Sequence, residues 1–108
     1  MRAGVPRSRI ATDAARLLGR SIALARRERR WTIAQLAERV GSCEGTMRKV
    51  ERGDPSVALG TVFEAASLVG VRLFSEDAAT RTRESELVDA RLAVLPQRVR
   101  HRVVDDDF

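Results

Sequence analysis

The sequence is poor in the residues that most metal and covalent chemistry needs. Among 108 residues there is one cysteine, Cys43, and one histidine, His101. A lone cysteine cannot close a disulfide within the chain, which fits a reducing cytoplasmic setting. One Cys and one His cannot furnish a four-ligand zinc site, and neither metal nor cofactor is expected. No glycine-rich phosphate loop follows a strand-like run, and no carboxylate pair falls in a predicted cleft. Ser, His and Asp all occur, but His101 lies in the C-terminal tail, so a nucleophilic triad has no pocket around it. The chain is therefore not expected to be an enzyme. The longest apolar runs fall far short of a bilayer span, so no membrane partner is expected. Arg16 and Arg20 interrupt any signal-peptide apolar region. Tyrosine is absent, and the aromatic residues are Trp31, Phe63, Phe74 and Phe108.

What remains is apolar and arginine-rich. Apolar residues make up 44% of the chain, enough for one compact core, and Ala, Leu and Arg favour helix over sheet. Lys49 is the single lysine among twenty basic residues, and the net charge is +5. The excess is uneven. Residues 1–31 hold nine arginines against Asp13 and Glu28, a net +7. Residues 32–74 balance, and residues 75–108 carry −2. A small basic chain suits a polyanion such as nucleic acid. Charge alone does not separate that from an arginine-rich solvated surface.

Periodicity predicts an all-α chain. Residues 1–11, with Gly4 and Pro6, read as a flexible basic arm. Thr12 or Asp13 can cap a first helix over about 13–29, with Leu18, Ile22 and Ala25 on its inner stripe, and Leu17, Ser21 and Leu24 beside it. Thr32 caps a short second helix carrying Ile33, Leu36, Ala37 and Val40, which stops at Gly41. Ser42 or Cys43 opens a third, with Met47 and Val50 turned inward. Gly53-Asp-Pro-Ser is a break. A fourth helix spans about Ala58 to Val69, with Leu59, Val62, Phe63, Ala66 and Val69 in phase. Gly70 ends it, and Val71, Leu73 and Phe74 are expected to fold back over the core. A weaker pattern predicts a last helix over about Glu84–Val94, ended by Pro96. The expected organisation is the arm, a DNA-binding domain over 12–74, and a C-terminal extension over 75–108.

The stretch Thr32–Gly53 carries the functional signal. Two short helices joined by a tight turn must share a buried seam. Gly41 supplies positive φ, Ala37 lets the next helix cross closely, and Leu36, Val40, Met47 and Val50 fill the seam. That is helix-turn-helix spacing; the bland alternative is a helical hairpin in a bundle.

Trp31-Thr-Ile-Ala-Gln-Leu-Ala-Glu-Arg-Val-Gly, followed by Thr46-Met-Arg-Lys-Val-Glu-Arg-Gly, resembles the phage-repressor-like (Xre/Cro) helix-turn-helix family over roughly residues 16–74. The resemblance implies a five-helix domain whose third helix, about 43–52, enters the major groove of an operator in double-stranded DNA. Its base-reading positions fall on Glu44, Gly45 and Lys49. Lys49 can donate to guanine and Glu44 can accept from cytosine, whereas Gly45 has no side chain to read with. Its phosphate-contacting positions fall on Ser42, Cys43, Thr46 and Arg48. At the opening of the second helix the family often has Gln; here it is Ile33. At the start of the third, an apolar residue followed by Ser is replaced by Ser42-Cys43. More narrowly, Gly53-Asp-Pro-Ser-Val-Ala-Leu-Gly-Thr-Val, with Leu95-Pro-Gln-Arg-Val-Arg and the terminal Asp-Asp-Phe, is similar to HipB-like antitoxins. Such proteins repress their own operon and bind a HipA-type toxin kinase. The alternative is a stand-alone regulator of the same family. Either way a homodimer, cytoplasmic and associated with the nucleoid, is implied, with residues 75–95 as candidate interface. The acidic end with Phe108 is the candidate toxin contact. Trp31 is expected as a core anchor, Cys43 as a substitute for Ser, and Glu51 as a tie from the third helix to an arginine of the first.

Overall fold

The structure, a computed structural model, describes residues 8–99. The first residues of the expected arm and the terminal Asp-Asp-Phe lie outside the described residues. Five α-helices and no strand occur among the described residues: α1 Arg9–Glu28, α2 Ile33–Val40, α3 Glu44–Arg52, α4 Leu59–Val69 and α5 Ala78–Ala93. The chain divides between Leu73 and Phe74 into two compact units. The first holds α1–α4 and the second holds α5. The five helices expected in one domain are thus distributed as four and one.

Each boundary has a local cause. Ser8, not Thr12 or Asp13, caps α1: its side chain accepts from the Ala11 N–H at 3.1 Å. Arg9, Ile10 and Ala11, expected in the arm, are therefore its first turn. Thr32 caps α2 in a complete capping box. Its hydroxyl accepts from Gln35 N–H at 3.0 Å, and Gln35 Oε1 accepts from Thr32 N–H at 2.8 Å. Gly41 then sits in the left-handed region, φ 79°, as the sequence requires. Helix α4 starts at Leu59 with no side-chain cap. Asp77 caps α5, accepting from Thr80 N–H at 3.1 Å, so this helix starts six residues before Glu84.

The core of the first unit is Ile22 from α1, Leu36 and Ala37 from α2, Met47 and Val50 from α3, and Ala65, Ala66 and Val69 from α4. Leu18, Ala25, Trp31, Val40, Val57, Val62, Val71 and Leu73 pack around it. Leu17, Leu24 and Leu59 are largely exposed; of the residues expected to fold back, Val71 and Leu73 pack at the core, and Phe74 is 67% exposed. Helix α3 packs on both α1 and α2, and α4 packs on the same two. The α1–α3 crossing is close because two glycines meet there. A Cβ on Gly19 would collide with the Val50 carbonyl oxygen and lie 2.7 Å from Gly53 N. A Cβ on Gly53 would lie 2.5 Å from Arg16 Cα.

Candidate nucleic-acid interface

The three residues Gly41–Cys43 carry the chain from α2 into α3. The N–H groups of Gly41 and Ser42 both return to the Ala37 carbonyl at 2.9 Å, so the turn is closed by backbone alone. Of the two openings the sequence allows, Ser42 and Cys43, it is Cys43 that caps α3. Its Sγ accepts from Thr46 N–H at 3.4 Å and lies 3.1 Å from Thr46 Oγ1. These two contacts, the hydroxyl's first, hold the exposed thiol below its ordinary range, against a smaller opposing effect of burial. A thiolate is further favoured by the positive end of the helix dipole.

Helix α3 is divided lengthwise. Met47 and Val50 are buried in the core. Glu44, Gly45, Arg48, Lys49 and Arg52 are exposed, Thr46 and Ser42 are half-buried, and Cys43 is exposed. The residues expected to read bases and to touch phosphate therefore lie on one nine-residue helix and the turn before it. One coupling was not visible in the sequence. Arg48 Nη2 donates to Glu44 Oε1 at 3.1 Å across one turn, joining a base-reading position to a phosphate-contacting one. Both side chains are about half exposed, so the pair is worth at most a few tenths of a kcal/mol.

Beside α3 lies a cleft of about 630 Å³ walled by α1 and α3. Arg20 and Arg27 of α1 face it, with Arg48 and Arg52 of α3 and the apolar Ala23, Leu24 and Ile33. The sequence signal was present but unread: Arg20 and Arg27 are seven apart, Arg48 and Arg52 four apart, each pair one stripe of its helix. In the same wall Arg26, 8% exposed, donates through Nε to Glu51 Oε2 at 2.6 Å and through Nη2 to Oε1 at 3.1 Å. Its Nη1 donates to the Trp31 carbonyl at 2.8 Å. Glu51 does tie α3 to α1, and the tie runs through this arginine. Trp31 packs against the core, with the Arg39 guanidinium 4.0 Å from its ring centroid and that of Arg29 at 5.6 Å. Arg29 Nε also donates to the Val69 carbonyl at 2.8 Å, fastening the end of α1 to the end of α4.

Among the described residues no three of His, Cys, Asp and Glu come together as a metal site requires, and no helix is long and apolar enough to cross a membrane. Comparison with protein-family models, curated proteins and solved structures finds no match to this chain.

Proposed function

We propose that this chain is a sequence-specific DNA-binding repressor of the phage-repressor-like kind, in which α2 and α3 form the helix-turn-helix and α3 enters the major groove. The observation that carries this reading is the composition of one surface. Glu44, Arg48, Lys49 and Arg52 are exposed together on α3, and Arg20 and Arg27 of α1 flank the same helix across the cleft. A surface dense in guanidinium groups beside an exposed polar helix suits a phosphate backbone that runs past a groove of base edges.

The arginines of the cleft neutralise phosphates and supply most of the affinity, while Lys49 and Glu44 choose among base pairs. Thr46 and Arg48 position the helix on the backbone, with Ser42 and Cys43 at the turn beside them. Arg48 must then be shared between Glu44 and a phosphate, or released to it, at small cost given the exposure of the pair. The protein acts by occupying its operator as a homodimer in the cytoplasm, near the nucleoid. No catalytic step is assigned to it. The finer reading, a HipB-like antitoxin that represses its own operon and binds a HipA-type kinase, is supported by the sequence resemblance over Gly53–Val62 and the C-terminal segment; the alternative is a stand-alone regulator.

Selection of bound duplexes from a random DNA library tests the proposal. An inverted repeat with half-sites about 34 Å apart is expected; enrichment no greater than in the input pool refutes it. Co-purification with the product of the adjacent gene separates the two finer readings. A kinase-like partner whose binding weakens on deletion of residues 96–108 supports the antitoxin, and absence of a partner supports the stand-alone regulator.

A further inference from the structure

Helix α1 turns a line of large apolar side chains outward. Ile10, Leu17 and Leu24 are 81, 68 and 60% exposed. They recur every seven residues, so the line drifts only about 20° at each step and runs most of the length of the helix. The core of the first unit is built without them. Phosphate contacts do not call for them either, because charged and polar groups make those. One flank of the line is cationic. Arg9, Arg16, Arg20 and Arg27 are exposed and stand within about 20° of a single direction beside the apolar residues. Among the described residues none of the four has an ion-pair partner. The other flank, Ala14 and Ser21, is small and uncharged.

We propose that this face docks an acidic amphipathic helix of another protein, laid along α1 with its apolar seam on Ile10, Leu17 and Leu24 and its carboxylates over the arginine line. Geometry and charge choose this occupant. Single apolar residues at a seven-residue repeat form the narrow seam of a helix pair, whereas a helix lying in a membrane surface shows a broad apolar face. Anionic headgroups would also press on Asp13 and Glu28, which are exposed close to the apolar line, while a partner helix can carry its carboxylates on the arginine side alone. A second α1 would bring four exposed arginines against only two carboxylates onto the same excess of arginine. Arg20 and Arg27 also belong to the cleft. A docked acidic helix and a DNA duplex therefore compete for them, and the partner releases the operator. That consequence rests on the proposed DNA reading; the docking itself does not.

The probe is a synthetic peptide about three heptads long, with leucine at both seam positions of each heptad and glutamate flanking them. Labelled with fluorescein, it is titrated by anisotropy with the full chain in the absence of DNA, so failure of the DNA reading leaves the result intact. Saturable binding is expected, and the same peptide with lysine for glutamate should not bind. Leu17→Ser and Arg16→Glu should each weaken binding roughly tenfold or more. Both side chains are exposed, and circular dichroism of each variant should match that of the native chain. Absence of saturable binding up to about 100 µM overturns the proposal. So does binding indifferent to Leu17→Ser. Adhesion to phosphatidylglycerol vesicles that depends on Leu17, without peptide binding, gives the face to a membrane and overturns it. A sedimenting mass that falls in Leu17→Ser gives the face to a second copy and does the same.

Discussion

Removing the carboxylate of Glu51 is expected to be the most damaging polar change in the first unit. Arg26 is 8% exposed and spends three nitrogens on two partners, Glu51 and the Trp31 carbonyl. Glu51→Ala deletes two of those bonds and leaves a guanidinium in a wall where water reaches it poorly. Breaking one side of such a buried pair costs about 3–5 kcal/mol, because the remaining charge is desolvated without compensation. Domains of this size hold together by roughly 5–15 kcal/mol in all. At about 4–8 °C per kcal/mol, the melting temperature should fall by at least about 12 °C. The urea midpoint should fall by roughly 1 M or more. The double variant Arg26→Met, Glu51→Leu removes both charges and should recover most of the loss. It stays about 1–3 kcal/mol short, because the Trp31 carbonyl loses its donor. Urea unfolding of the native chain, Arg26→Met, Glu51→Leu and the double variant forms a complete cycle. A loss below about 1 kcal/mol for Glu51→Ala would show that the pair is effectively solvated. A double variant no better than the single one would show that charge burial is not the cause.

Gly19→Ala should destabilise by about 1–3 kcal/mol or more, read by thermal unfolding, since its Cβ meets backbone atoms of Val50, Glu51 and Gly53 that cannot swing aside. Unchanged stability would mean that α1 and α3 have room to separate. Cys43 in the folded chain should be alkylated by iodoacetamide with a half-point at lower pH than in urea, because Thr46 hydrogen bonds hold its thiol below the ordinary range. Thr46→Ala should move that half-point up, and a half-point indifferent to Thr46 refutes the assignment. Lys49→Ala should cost roughly 1–3 kcal/mol on the selected operator and relax preference at one base pair, whereas Arg48→Ala should weaken all duplexes about equally. An unchanged ratio of operator to random binding for Lys49→Ala removes Lys49 from base reading.

Residues whose role is set by local backbone chemistry were legible in the sequence. Gly41, Gly53 and Gly70 all take positive φ where the sequence has breaks. Of the expected seam, Leu36, Met47 and Val50 are buried, as is Ala37 at the crossing, while Val40 is half-buried at the core's edge. Residues whose role depends on a neighbouring helix were legible only in part. That Glu51 ties α3 to an arginine of α1 was readable, but Arg26, four residues after Ile22 on the buried line of α1, is singled out only once the helices cross. Leu17 and Leu24 look like core by hydrophobicity, but the α1–α3 crossing at Gly19 turns them outward. The start of α1 was misplaced because Ser8, Thr12 and Asp13 are all competent caps and only the helix's continuation chooses among them. The onset of α5 was missed because Ala78–Arg83 has no apolar stripe; capping by Asp77 and good helix formers carry it instead. On α3 the face was legible from the positions of Met47 and Val50, while the arginine cleft was not, because it exists only once α1 and α3 cross.

The central claim is that this surface binds duplex DNA mainly through arginine–phosphate contacts. Its most direct test is the salt dependence of affinity for the selected duplex, followed by fluorescence anisotropy between about 50 and 200 mM monovalent salt. Counterion release by several arginines should lower the affinity by on the order of a hundredfold or more over that range, with a linear log–log slope. Replacing Arg20 and Arg27 together by Ala should make that slope shallower by about two. Affinity that stays flat across the range, or no measurable binding to any duplex at the lowest salt, would contradict the claim.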